Sequence, residues 1–191
     1  FPNGVEVSRN SGIDLTKAIL KQNNEVLFQP PFKTQSGAFA IADILKKVDK
    51  NSYHLYEVKS STSVKKDKIH NHLKDVCFQK FVLTECGINI STSNIIHLNE
   101  DFIKNGDIDH NELLTIEDVT DDIDAIYSSV VNEINSALNY IDKADNDEDK
   151  CSCIHKTRSN HCDSFEYFNK GIPEYSIYQL RIIREKKLNE L

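Results

Sequence analysis

Gly37-Ala38-Phe39-Ala40-Ile41-Ala42-Asp43-Ile44-Leu45, followed after a short polar stretch by His54-Leu55-Tyr56-Glu57-Val58-Lys59-Ser60-Ser61, decides the fold of this 191-residue chain. The first run is almost wholly apolar and reads as a buried strand over 38–45. The second alternates. Successive side chains of a strand point to opposite faces, so Leu55, Glu57 and Lys59 share one face while Tyr56 and Val58 take the other. Between the two lies Lys46-Lys47-Val48-Asp49-Lys50-Asn51-Ser52, read as a turn. Glu-x-Lys alone describes an ordinary exposed charge pair on a sheet. A carboxylate ending the preceding apolar strand changes that reading, because Asp43 and Glu57 then offer two hard oxygen ligands to one Mg²⁺ or Mn²⁺ ion. Such an ion lowers the pKa of a bound water and stabilises charge building on a phosphate, and Lys59 would position that water.

Outward from this pair, a helix is expected over 14–22 with Asp14 as its N-cap, and a strand over 26–32 stopped by Pro30-Pro31. Residues 64–86 carry Ile69, Leu73, Val76, Phe81 and Leu83 at near-helical spacing, with His72, Asp75 and Gln79 on one polar face turned to the site. Gly87 stops that helix, and 88–98 reads as a strand. Residues 100–112 are loop-like, 117–141 form a long packing helix, and 175–191 a basic one containing Arg181, Arg184, Lys186 and Lys187. The class is α/β, a central mixed β-sheet flanked by helices. The expected organisation is a core domain over 1–141, an acidic linker over 142–150 and a Cys-containing tail over 151–191.

The order of these elements resembles the RecB-like branch of the PD-(D/E)xK nuclease superfamily, especially the CRISPR-associated RecB-like exonucleases and a related bacterial family of unknown function. The matching residues are Ala42-Asp43-Ile44-Leu45, Tyr56-Glu57-Val58-Lys59-Ser60-Ser61, His72 to Gln79, Gly87, and the strand ending His97-Leu98-Asn99. The resemblance implies a restriction-endonuclease-like core. It makes Asp43 and Glu57 metal ligands, Lys59 the catalytic lysine and Gln79 the helix glutamine beside the site. Many relatives carry a tyrosine four residues after that glutamine, where this chain has Leu83, and a histidine on the first helix, where it has none. The implied activity is metal-dependent hydrolysis of DNA, single-stranded or end-bearing, in repair, recombination or defence, with a helicase or other repair or defence proteins as partners. The alternative is an inactive nuclease-fold module for nucleic-acid binding or complex assembly.

Composition narrows the class. No apolar run approaches the roughly 18 residues of a membrane span, and no basic-then-apolar leader opens the chain, so a soluble cytoplasmic protein without membrane contact is expected. The opening Phe1-Pro2-Asn3-Gly4, without methionine, reads as a processed start or a fragment. A net charge of −7 opposes a broad nonspecific nucleic-acid surface. The acids concentrate in 101–124 and 142–149, leaving Lys65, Lys66, Lys68 and Lys74 near the site to track a DNA backbone or simply to meet solvent. The run 142–150 tempts a calcium-loop reading, but from Asp145 the sixth position is Lys150 and the twelfth Lys156, so it is read as a solvated linker.

Five cysteines cannot all pair internally. Cys77 and Cys86 fall on the 64–86 helix as core thiols. Cys151, Cys153 and Cys162 crowd into the tail, where soft sulfur ligands suit zinc or an iron-sulfur cluster. The family resemblance implies a 4Fe-4S cluster in a full-length protein, its fourth cysteine lying upstream. The residues themselves also allow a closed Cys₃His zinc site with His155 or His161.

Overall fold

The computed structural model describes residues 1–7, 12–22, 24–50, 52–67, 70–143, 151–180 and 183–190. The chain divides into two compact units, Phe1–Asp142 and Lys143–Leu191.

The first unit is α/β. In chain order it contains β1 (Val5–Glu6), α1 (Gly12–Lys21), β2 (Val26–Phe28), β3 (Pro31–Lys33), β4 (Phe39–Ile41), β5 (Ile44–Asp49) and β6 (Ser52–Val58). There follow α2 (His72–Glu85), β7 (Asn89–Leu98), α3 (His110–Leu113), β8 (Leu114–Asp118) and α4 (Thr120–Asp142). Six strands make one mixed sheet in the order β1-β2-β5-β6-β7-β8. Its pairings are antiparallel except β1 with β2 and β6 with β7. Strands β3 and β4 form a separate antiparallel pair.

Alternation along the strands sets the core. Leu27, Leu45, Leu55 and Ile95 join Ile19 of α1, Val76, Val82 and Leu83 of α2, and Ile123 of α4 in the main apolar cluster. Their neighbours Val26, Ile44, Tyr56 and Ile96 form a smaller cluster on the opposite face. Glu57 and Lys59, in phase with Leu55, therefore continue the face that meets α2.

Several expected boundaries are corrected. The apolar run over 38–45 is two strands, because the chain changes sheets at Ala42-Asp43 just as it does at Gln29-Pro30. Ala42 N–H donates to Pro30 C=O and Gln29 N–H to Asp43 C=O, tying the two crossings together. Gln29 has φ +52°, and Pro31, lacking an N–H, opens β3 instead of ending a strand. The polar 46–52 stretch extends β5, since Lys46 and Lys47 pair with His54 and Tyr53 before the hairpin closes between Asp49 and Ser52. Helix α1 starts before Asp14, which sits in its first turn and is not the N-cap. Helix α2 begins at His72, where the Asn71 side chain accepts the Lys74 N–H, so the apolar stripe was extended too far upstream. Strand β8 occupies 114–118, and α4 starts only at Thr120.

Among its described residues, the second unit has short turns of helix. These are 3₁₀ segments Ser152–His155, Arg158–Asn160 and Ile177–Gln179, with α5 (Phe165–Phe168) and α6 (Glu185–Leu188). The basic helix expected over 175–191 is not continuous, for Leu180 ends the 3₁₀ turn with an extended backbone. Leu180 is 60% exposed and Ile177 40%, so the stripe meant to stabilise that helix finds little to pack against.

Candidate active site and thiol cluster

The β5–β6 register places Ile44 opposite Tyr56 and Leu45 opposite Leu55, with Asp43 one residue before β5 and Glu57 one residue beyond Tyr56. Asp43 Oδ2 accepts the Val58 N–H at 2.8 Å, so the carboxylate takes over the ladder just ahead of the start of β5. On the other side, Lys59 N–H donates to Ile96 C=O at 2.8 Å and holds Lys59 in line with β6.

Glu57 is 8% exposed and fully engaged. Its Oε1 lies 2.8 Å from Lys59 Nζ, and its Oε2 accepts Gln79 Nε2–H at 2.6 Å. Lys59 Nζ reaches Asp75 Oδ2 at 2.8 Å. Asp75 and Gln79 stand four apart on α2 and so face the sheet together. Burial pushes the Glu57 carboxyl up and the nearby Asp43 charge adds to this, outweighing the hydrogen bonds from Lys59 and Gln79. For Lys59, burial works against the charge, yet bonds to Asp75 and Glu57 prevail and raise the ammonium pKa. Gln79 Oε1 is buried without a hydrogen-bond partner. A buried acceptor left so costs about 1–3 kcal/mol, and this one lies beside Glu57.

His72, the third residue of the expected polar face, is used structurally: its Nδ1 accepts the Lys65 backbone N–H at 3.1 Å. Its pKa is lowered by burial and by the Lys59 charge. The sequence reading did not assign roles to Asp75, beyond its helix face, or to His97. His97 is 7% exposed, and its Nε2 lies 3.5 Å from Glu117 Oε2. It is in phase with Ile95 on the α2 face, and alternation along β7 carries that signal.

Of the four lysines read as a nucleic-acid track, Lys66 pairs with Asp122 at 2.7 Å and Lys74 with Glu133 at 2.6 Å. Lys65 is exposed, and Lys68 lies outside the described residues. Lys80 likewise reaches Asp124 at 2.6 Å, so α2 and α4 are joined by three lysine–carboxylate contacts if the Lys66 pair just ahead of α2 is included. Exposed pairs of this kind each contribute little to stability.

The tail thiols converge. Ligand atoms of Cys151, Cys153 and Cys162 all lie within 4.8 Å of one another. Cys151 Sγ and Cys162 Sγ are 3.7 Å apart. Neither expected histidine joins this group. His155 is exposed. His161 Nε2–H donates to Lys156 C=O, while its ring stacks on Phe165 at 3.5 Å and meets Tyr178 edge-on at 4.7 Å. Of the other two cysteines, Cys77 is buried and donates to Ile123 C=O; Cys86 caps α2, only partly buried.

Among the described residues, no helix is long and apolar enough to cross a membrane. Neither protein-family models nor curated proteins nor solved structures provide a match to the chain.

Proposed function

We propose that the first unit is a metal-dependent phosphodiester hydrolase of the PD-(D/E)xK kind, acting on DNA. One observation carries this reading: buried Glu57 feels the charge of nearby Asp43, and Lys59 Nζ lies 2.8 Å from Glu57 Oε1. The donor set fits Mg²⁺ or Mn²⁺. Both are hard ions that take oxygen ligands, and the mutual repulsion of Asp43 and Glu57 is relieved by a cation between them. Bound there, the ion would supply charge at the phosphate and an activated water.

The chain's own residues account for the rest. Lys59 now stands at Glu57 as its cation, and Asp75 provides a second anchor that can hold the ammonium when Glu57 turns to a divalent ion. Held there, Lys59 would stabilise negative charge developing during hydrolysis. Gln79 fixes the Glu57 carboxylate through Nε2, while its unpartnered Oε1 can accept a hydrogen bond from a water or complete a ligand shell.

A second reading, an inactive module for assembly or nucleic-acid binding, is favoured by the lysines. Lys66, Lys74 and Lys80 are each satisfied by an acid of α4 or its first turn, which weakens the basic track a DNA backbone needs. Labelled single- and double-stranded DNA incubated with Mg²⁺, Mn²⁺ or EDTA separates the two. Cleavage that requires the ion and is lost in Lys59→Ala supports the hydrolase. Binding without cleavage under every condition supports the module.

A further inference from the structure

The tail thiols are too close together for the cluster that the family resemblance implies. In a 4Fe-4S cluster the cysteines ligate separate irons. Thiolates bound outward on different metals stand further apart than thiolates sharing one. Around a single tetrahedral ion with bonds of about 2.3 Å, sulfurs are separated by roughly 3.8 Å. Cys151 and Cys162 are 3.7 Å apart, and all three sulfurs fall within 4.8 Å.

The local backbone is built to hold thiolates in that arrangement. Cys151 and Cys153 bracket the start of a 3₁₀ turn, where Ile154 N–H donates to Cys151 C=O and Lys156 N–H to Cys153 C=O. Tyr178 O–H anchors the turn through Ile154 C=O at 2.6 Å. The Cys162 backbone N–H donates to the Cys153 sulfur, and the Ser164 backbone N–H donates to the Cys162 sulfur. Amide donors of this kind stabilise the thiolate form that binds metal.

The unit also lacks much else to fold around. Among its described residues, the buried apolar ones are Cys153, Tyr178 and Leu188. Units of this size, residues 143–191, ordinarily need a disulfide, a metal or a partner to be stable. One of its best-buried side chains is thus a ligand.

The geometry points to a mononuclear site: Cys151, Cys153 and Cys162 hold one soft divalent ion of the zinc class, whose shell is completed by a donor outside this trio. His155 and His161 do not supply that donor. This is an assignment of nuclearity and of ligands, and it stands independently of the strand-face site in the first unit.

The test uses the full chain, reduced, freed of metal and titrated anaerobically with Co²⁺. One equivalent should saturate it, giving sulfur-to-cobalt charge-transfer bands and the intense visible bands of tetrahedral cobalt, both removed by Zn²⁺. X-ray absorption of the zinc-loaded chain should show about three sulfurs at roughly 2.3 Å, one lighter neighbour and no metal–metal scattering. Cys162→Ser should lower the charge-transfer intensity per bound cobalt by about a third, one of three thiolates. Cys86→Ser should leave the titration unchanged. If Cys162→Ser fails to fold, the wild-type stoichiometry and absorption shell still decide. Any of three results overturns the assignment: reconstitution with iron and sulfide to a cluster with metal–metal scattering, a four-sulfur shell, or no stoichiometric cobalt binding.

Discussion

Glu57 is a carboxylate enclosed by a lysine, an amide and a second carboxylate, and its raised pKa makes it a reporter for the site. A raised folded-state pKa contributes stability that is fully present below the unfolded value of about 4.3 and lost as pH rises through the folded value. Metal-free wild type should therefore lose denaturation midpoint between pH about 4.3 and neutrality relative to Glu57→Gln, which has no such titration. Urea titrations of both proteins across that range check it, and parallel profiles would contradict the assigned shift. Asp43 has a double role, as proposed ligand and as acceptor for Val58 N–H. Asp43→Ala should abolish cleavage and cost about 1 kcal/mol, whereas Asp43→Asn should abolish cleavage with the smaller stability loss. Equal cleavage by wild type and Asp43→Asn would refute the ligand role. That Glu57 and Lys59 share a face, and Asp75 and Gln79 another, follows from β alternation and helix spacing, which are local rules, whereas Asp43 is indicated by the resemblance. The lysine–carboxylate pairs and the His97–Glu117 contact were not legible in the sequence, since they depend on which elements become neighbours.

At the scale of elements, the strands nearest the site were readable and their ends were not. The run 38–45 is continuous in hydrophobicity, yet the chain leaves one sheet for another within it, a change dictated by pairing with β2 and β3. Strand β8 escaped notice because most of Leu114–Asp118 is exposed at the sheet edge and shows no buried alternation. The apolar periodicity runs upstream of α2 because periodicity ignores the cap. Asn71 caps it, and Asn71→Ala should destabilise the protein by about 1 kcal/mol, measured by urea unfolding. The helix carries Asp75 and Gln79, so cleavage by Asn71→Ala should also fall while metal dependence is kept. The tail shows the opposite failure: its helical stripe was real in sequence, but a stripe without a surface to cover gives only short turns.

Across the whole molecule, the two units rest on different physics. Residues 1–142 enclose a broad apolar core, whereas the described residues of 143–191 bury Cys153, Tyr178 and Leu188. Scanning calorimetry of the full chain should therefore show a transition for the first unit that persists without metal, with zinc raising the stability of the second by mass action. A thermogram insensitive to zinc would remove metal as the staple. The parallel pairing of β6 with β7 has a further consequence, in the order of assembly. The β5–β6 hairpin closes through a short local loop, but the other edge of β6 is matched only after α2 and β7 arrive, and such non-local contacts form late. Until then that edge is an open template for intermolecular pairing. Refolding from denaturant should consequently grow less efficient with protein concentration, and DNA cleavage should recover no sooner than the slowest folding phase, because Glu57 and Gln79 meet only when that crossover is complete.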